Sequence, residues 1–150
     1  MRIVIQRVQS AEVIVEKETA GQISGGLLLL VGVEDADNDD DIEWLSKKIL
    51  NMRIFPDEEK PMNQSVQDIN GQLLVVSQFT LHASTKKGNR PSFIKAAAPE
   101  KAERLYEKLI DRLKTESALK VASGRFGKMM EVSLINDGPV TIIIDSKNRE

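Results

Sequence analysis

The segment Leu73-Leu74-Val75-Val76-Ser77-Gln78-Phe79-Thr80-Leu81 joins an apolar first half to a largely polar second half. The branched apolar residues at its start are typical of a strand that is buried on both faces. Ser77, Gln78 and Thr80 follow without a turn residue, so the pattern still predicts strand. A buried polar group without a partner costs about 1–3 kcal/mol, so such groups find partners or carry function. We therefore expect the chemistry of this protein where this strand ends.

Composition limits the class of protein. A chain of 150 residues is the size of one domain. The absence of cysteine excludes disulfides and thiolate metal sites and fits a reducing compartment. The chain begins without a charged-then-apolar leader, and no apolar run approaches the ~18 residues needed to span a membrane, so we expect a cytoplasmic protein. A net charge of −2 gives no global attraction to nucleic acid, so any RNA contact must be local.

The remaining elements follow from periodicity and turn residues. Asn70-Gly71 predicts a hairpin between residues 65–69 and the strand that begins at Gln72, and residues 17–22 read as a polar turn. Apolar residues at three- and four-residue steps predict one helix through Ile42–Met52, and Pro99 begins a second. We infer a single α+β domain in which a curled, mostly antiparallel sheet carries two main helices. The other predicted strands are Arg2–Val8, Ala11–Glu16, Leu27–Val33, Arg53–Phe55, Leu119–Ser123, Met129–Ile135 and Val140–Asp145.

Two charged stretches each allow a functional and a structural interpretation. Residues 34–41 are strongly acidic, as a metal loop would be, but their spacing does not match a calcium loop. The stretch is better explained as the start of a helix, where carboxylates complement the helix dipole. Residues 82–92 carry three cations and either contact the phosphates of an RNA acceptor end or form a solvated loop. Because residues 82–92 lie directly after the strand that ends near Thr80, these two possibilities are evenly balanced.

A second motif, Asn136-Asp137-Gly138-Pro139-Val140-Thr141, lies between two strand-like runs. Together with Ser77-Gln78-Phe79-Thr80-Leu81 it resembles the D-aminoacyl-tRNA deacylases, editing enzymes that remove D-amino acids from tRNA. The resemblance extends from Met1-Arg2 and Gln6-Arg7-Val8 to the last strand. It implies a barrel-like sheet and hydrolysis of the D-aminoacyl ester to free tRNA and amino acid. It also implies a homodimer in which a cis Gly138-Pro139 bond enters the active site of the partner.

Conventional catalysis has few candidates. The only histidine, His82, would sit about 6.6 Å along a strand from Thr80, which is too far for it to act as a base; we expect it to be a surface or satisfied residue. No set of metal ligands stands near either motif, so we expect neither metal nor cofactor. Positioning and backbone dipoles remain, with oxyanion contacts from backbone N–H groups around Gln78–Thr80. The neighbouring ribose hydroxyl can assist, as the resemblance implies. The catalytic candidates are Ser77, Gln78, Phe79 and Thr80.

The resemblance also implies how substrates are selected. Rigid carbonyls of Gly138 and Pro139 would face the substrate Cα and exclude an L side chain, and Arg7 would fix this insert. Phe126 and Met130 would line a pocket for the terminal adenine, or else simply pack in the core. A screen on Cβ cannot exclude glycine, so glycyl-tRNA should also be cleaved. The rivals are a non-catalytic nucleic-acid-binding module and a sister deacylase for L-alanyl mischarged tRNA. In that related deacylase the first motif resembles Pro-Gln-Ala-Thr, so Ser77 and Phe79 argue against this alternative here.

Overall fold

The computed structural model describes residues 1–150 and contains one six-stranded mixed sheet with two helices. The sheet order is β2-β1-β3-β4-β5, with β6 paired to β1 outside that path. The first half of β1 pairs with β3 and its second half with β2, while β6 runs along both halves, all antiparallel. The strands are β1 (Arg2–Val15), β2 (Glu18–Ile23), β3 (Gly26–Gly32), β4 (Gln72–Ser77), β5 (Val121–Ser123) and β6 (Glu131–Asp145).

The predicted hairpin at Asn70-Gly71 is wrong. Residues 66–70 form turns rather than a strand, and β4 pairs in parallel with both β3 and β5. Parallel neighbours need long crossovers, and the two helices supply them: α1 (Asp39–Asn51) lies between β3 and β4 in sequence, and α2 (Pro99–Glu116) between β4 and β5. Asn70 does adopt a positive φ of 49°, so the local turn signal was correct and only the strand partner was not.

Four other predictions about the strands are corrected. The two predicted N-terminal strands are one continuous β1, and the predicted polar turn at residues 17–22 is mostly β2. The turn that connects β1 to β2 lies at Glu16 and Lys17, whose φ values of 51° and 69° match the twist of a tight hairpin. The last two predicted strands are likewise one β6. Of the predicted Arg53–Phe55 strand, only an isolated bridge from Phe55 to Gln64 is present.

The core explains why β4 is apolar on both faces. Leu73 and Val75 belong to a large cluster with the apolar sides of α1 and α2. Leu74 and Val76 point the other way, into a smaller cluster inside the curled sheet with Val8. Alternate residues of one strand thus serve two separate cores. The prediction of an α+β domain with a barrel-like sheet and two helices is confirmed.

The acidic stretch starts α1 as expected. Asn38 is the N-cap, its side chain accepts from the backbone of Asp40 and the Asp41 carboxylate accepts from the Asn38 backbone N–H, forming a capping box. Asp41 also accepts from the Lys147 ammonium at 2.7 Å. Asp37 is buried and accepts from the N-terminal ammonium. Neither helix is long and apolar enough to cross a membrane.

Candidate active site

The first motif leaves the sheet earlier than predicted. β4 ends at Ser77, which pairs with Val31, and the Gln78 N–H still donates to the Val31 carbonyl at 2.7 Å. Residues Phe79–His82 then form a single 3₁₀ turn instead of more strand. The backbone N–H groups of Phe79 and Thr80 lie at the start of this turn, where a helical chain offers no internal acceptor. The turn therefore presents two main-chain donors beside the end of the sheet.

The first two side chains of this turn, Phe79 and Thr80, are exposed. Phe79 is 57% exposed, and its ring meets the Phe93 ring edge-on with the centroids 5.0 Å apart. The Gln78 amide donates to the Thr80 hydroxyl, which has no hydrogen bond to a carboxylate or imidazole. Ser77 is half-buried at the strand end. Thr80 is thus held by an amide and has no side-chain base to activate it as a nucleophile.

His82 is neither on the surface nor satisfied, contrary to expectation. It is 4% exposed, and its Nε2 has no hydrogen-bond partner. The 3₁₀ turn is the cause, because it rotates His82 inward against Gly32 instead of continuing the alternation of a strand. A Cβ on Gly32 would lie 3.1 Å from His82 Cδ2. Glycine at position 32 therefore makes room for the buried imidazole.

The second motif bulges from the edge of the sheet. On β6, Asn136 pairs with Val8 and Thr141 pairs with Gln6, so four residues, 137–140, stand opposite Arg7 alone. Gly138 and Pro139 are exposed, their peptide bond is cis, and Gly138 has a φ of 121°. The base of the bulge is tied by Asn136, which accepts from the Val140 N–H and donates to the Thr141 hydroxyl, both at 3.0 Å. This bulge projects a short, rigidly based piece of main chain into solvent.

Arg7 supports the bulge from beneath. Its Nε lies 3.0 Å from the Asp137 carboxylate and donates to the Asp137 carbonyl at 3.2 Å, while Nη1 donates to the Ile54 carbonyl at 2.6 Å. The Arg7 side chain is only 9% exposed. Its Nη2 lies 2.8 Å from where a Cβ on Gly138 would be. The guanidinium therefore links the bulge to the segment after α1 and fits closely against glycine at position 138.

The two motifs do not meet within one chain. Ser77 pairs with Val31, which pairs with Ile3, whereas Gly138-Pro139 lies beside Arg7 on the same strand as Ile3. Four residues of extended chain separate these positions on β1, or about 13 Å at 3.3 Å per residue. The bulge thus lies beside Arg7 of β1, whereas the 3₁₀ turn follows a strand end that is level with Ile3.

Comparison with known proteins decides the family. A family model described as D-Tyr-tRNA(Tyr) deacylase matches residues 4–145. A Flavobacterium psychrophilum protein named D-aminoacyl-tRNA deacylase is 60% identical over 150 residues, which is 100% of both chains. The Bacteroides thetaiotaomicron protein of that name is 53% identical, again over 100% of both chains. This chain belongs to the D-aminoacyl-tRNA deacylase family. The family predicted from the two motifs and the prediction of an enzyme that hydrolyses esters are confirmed.

Two solved structures share the deacylase fold. One, named c-Myc DNA Unwinding Element Binding Protein, has a TM-score of 0.91 and 38% identity, and the match covers 97% of this chain and 98% of that one. The other is described as a probable eukaryotic D-amino acid tRNA deacylase, with a TM-score of 0.81 and 18% identity over 95% of this chain and 97% of that one. At 18% identity the second match supports the fold alone.

Phe126 and Met130 of this deacylase both make core contacts. Phe126 is half-buried against the helix-side core, with its ring centroid 5.7 Å from that of Tyr106. Met130 packs on the cluster inside the sheet, and its sulfur lies 2.6 Å from where a Cβ on Gly124 would be. The Tyr106 hydroxyl donates to the Val75 carbonyl at 2.8 Å, and burial raises its pKa. These contacts agree with one of the two interpretations drawn from the sequence, in which Phe126 and Met130 pack in the core.

Sequence reasoning missed two supporting residues of the deacylase. Phe93 packs edge-on against Phe79 but was not singled out, although an aromatic residue directly after the cation-containing residues 82–92 was a usable signal. Asp137 was quoted within the motif without a role, and it is the carboxylate that pairs with Arg7. The structure brings together no three His, Cys, Asp or Glu side chains in an arrangement that could hold a metal.

Proposed function

We propose that this protein hydrolyses the ester bond of D-aminoacyl-tRNA to free tRNA and a D-amino acid, as a step of translation quality control. Membership of the family supports the reaction, and the 3₁₀ turn after β4 supplies the groups that contact the reacting ester. The observation that carries the mechanism is the Thr80 hydroxyl, which is bonded to the Gln78 amide and to no base. A nucleophilic side chain therefore has no activation in this site.

Main-chain donors and the RNA provide the chemistry in this proposal. Water adds to the ester carbonyl and gives up one proton to the adjacent ribose hydroxyl, and the carbonyl oxygen becomes an oxyanion that accepts from the N–H groups of Phe79 and Thr80. The bond from the acyl carbon to the ribose oxygen then breaks, and that oxygen leaves with a proton relayed by the adjacent ribose hydroxyl. Aminoacyl esters are already activated, so orientation and oxyanion stabilisation suffice. Ser77 and Gln78 hold the geometry of the turn.

The selection of D over L substrates is assigned to a second copy of the chain. The Gly138-Pro139 bulge is exposed and lies about 13 Å along β1 from its own 3₁₀ turn. β6 has one unpaired edge, and its exposed apolar side chains Val132, Ile135 and Ile143 favour contact with another protomer. In a homodimer the bulge of one protomer enters the site of the other, where its carbonyls exclude an L side chain. Arg7 fixes the bulge.

The terminal adenine of the tRNA is assigned to the segment between β5 and β6. Phe126 and Met130 lie within this segment and are each only half-buried, so part of each side chain is open to a ligand. The proposal places no cofactor or metal in the site. The absence of cysteine fits the reducing conditions of the cytoplasm, where we place the activity.

A side-by-side assay of D- and L-aminoacyl-tRNA tests the function. We expect cleavage of the D ester only, and equal rates or no D-specific cleavage would overturn the assignment. The second candidate is a non-catalytic nucleic-acid-binding module, which the name of the 38%-identical DNA Unwinding Element Binding Protein favours. It predicts salt-sensitive binding without turnover. A deacylase for L-alanyl mischarged tRNA would instead cleave the L-alanyl ester, and Ser77 and Phe79 argue against it.

A further inference from the structure

The charge of this chain is divided unevenly along its length. Residues 69–99 contain four Lys or Arg and no Asp or Glu, a charge of +4. The whole chain carries −2, so the remaining residues carry −6. The +4 segment includes the end of β4 and the 3₁₀ turn of the candidate active site. This segment therefore has the sign of charge that attracts an anionic polymer, although the chain as a whole does not.

The four cations lie in one loop, residues 83–95, which we name the basic loop. Lys86, Lys87, Arg90 and Lys95 are all exposed, and none forms an ion pair or a side-chain hydrogen bond within the chain. By contrast, Lys101 and Lys108 on α2 pair with the acidic stretch before and in α1. The charges of the basic loop are free to meet an external anion.

The basic loop is fastened beside the candidate active site. Ser84 and Ser92 exchange backbone hydrogen bonds of 2.8 and 2.9 Å, which close the base of the loop. Directly after that base, Phe93 packs edge-on against Phe79 with the centroids 5.0 Å apart. Lys86, Lys87 and Arg90 lie between the two serines, and at most three residues of chain, or about 11 Å, separate the base from any of their Cα atoms. The loop therefore holds these cations close to the candidate active site.

We propose that the basic loop binds backbone phosphates of the tRNA acceptor end and so positions the terminal ester at the 3₁₀ turn. This inference rests on the proposed function for the identity of its ligand. Lys and Arg are the side chains that neutralise nucleic-acid phosphates, and those of the basic loop have no competing partner within the chain. The sequence left a solvated loop equally open. The free charges and the aromatic contact with Phe79 favour phosphate binding.

Salt dependence of tRNA binding tests the proposal. The probe is uncharged tRNA, and the variant is Lys86→Gln/Lys87→Gln/Arg90→Gln in the full chain. Each lost phosphate contact lowers the slope of log affinity against log salt by about 0.7–0.9, so three contacts lower it by about 2–3. Between 50 and 200 mM salt, the wild type then loses about 20- to 40-fold more affinity than the variant. We also expect the variant to show a higher KM for D-aminoacyl-tRNA.

A matched control removes three cations elsewhere. Lys17, Arg104 and Lys114 are exposed and form no ion pair, so the triple Gln variant changes the net charge equally and should leave the wild-type slope nearly intact. The proposal is overturned if the two triple variants show equal salt slopes for tRNA binding. It is also overturned if the basic-loop variant loses as much salt slope with duplex DNA of the same length as it loses with tRNA. If the proposed function is wrong but the basic loop does bind tRNA, the result is different. The wild type then leaves D-aminoacyl-tRNA intact, while the salt slope for uncharged tRNA still depends on the basic loop.

Discussion

Replacing Gly138 by alanine tests both the packing of the bulge and its role in selection. Gly138 has a φ of 121°, where an L side chain is strained by about 1–3 kcal/mol. The new Cβ would also lie 2.8 Å from Arg7 Nη2 and 2.9 Å from Val140 Cγ2. Arg7 cannot simply move away, because its other nitrogens are bonded to Asp137 and Ile54. Overpacking of this kind costs a further 1–3 kcal/mol or so, and the sum is about 2–6 kcal/mol.

Gly88→Ala is the matched control for backbone strain. Gly88 also has a positive φ, 71°, but a Cβ there meets nothing within 4 Å. Its cost is only the left-handed backbone, about 1–2 kcal/mol. Urea unfolding of the two variants should therefore place Gly138→Ala below Gly88→Ala in free energy of unfolding. The relief of the clash displaces the bulge, so the ratio of D- to L-aminoacyl-tRNA cleavage should fall about tenfold, which corresponds to about 1.4 kcal/mol.

The two readouts separate the two parts of the reasoning. If Gly138→Ala is as stable as Gly88→Ala, the close contact with Arg7 and Val140 does not cost what the geometry implies. If Gly138→Ala is destabilised but discriminates D from L as the wild type does, the bulge is a packing feature only. In that case the chiral screen lies elsewhere and the proposed role of Gly138-Pro139 is wrong.

Four further outcomes are expected. Thr80→Ala should keep substantial deacylase activity in a single-turnover assay, because backbone and RNA do the chemistry; a loss of several orders of magnitude with the fold intact would restore a nucleophile. Glycyl-tRNA should be cleaved alongside the D ester, and full resistance of glycyl-tRNA would contradict a screen on Cβ. His82→Leu should unfold at the same urea concentration as the wild type or a higher one, because it removes an unpaired buried nitrogen that costs about 1–3 kcal/mol; clear destabilisation would mean that Nε2 has a partner. Burial raises the pKa of Asp41, but hydrogen bonds from Lys147, Ser146 and the Asn38 backbone outweigh it and hold that pKa below its usual value. Stability from Asp41 is therefore present above its unfolded pKa of about 3.9 and is lost as the pH falls through the lower folded pKa; Asp41→Asn should flatten the acid limb of the stability curve, and an unchanged limb would refute the assignment.

Elements with local signals could be predicted from the amino-acid sequence alone. The burial of β4 on both faces, the apolar sides of both helices and the acidic start of α1 all follow from residue type, residue spacing and capping chemistry. The two motifs were likewise readable as strings of residues, and they sufficed for the family. Each of these features depends on neighbours within about one or two turns of chain, which is why no tertiary structure was needed.

Strand pairing was decided only by the tertiary structure. Asn70 adopts the positive φ that its turn signal predicts, yet β4 pairs in parallel with β3 and β5 rather than with the residues before it. A strand buried on both faces is typical of a parallel sheet, so the residues of β4 already held the better signal. The choice of partner depends on crossovers through α1 and α2, and local turn chemistry carries no information about them.

The surroundings of the site residues also required the folded chain. His82 is buried because the strand ends at Ser77 and a 3₁₀ turn follows, a change of direction that the residue pattern did not announce. Arg7 meets Gly138 because four residues of β6 bulge out opposite it, and those partners are about 130 residues apart in sequence. Contacts over such separations arise from packing of the whole sheet, so periodicity named the residues while the three-dimensional fold decided what each one touches.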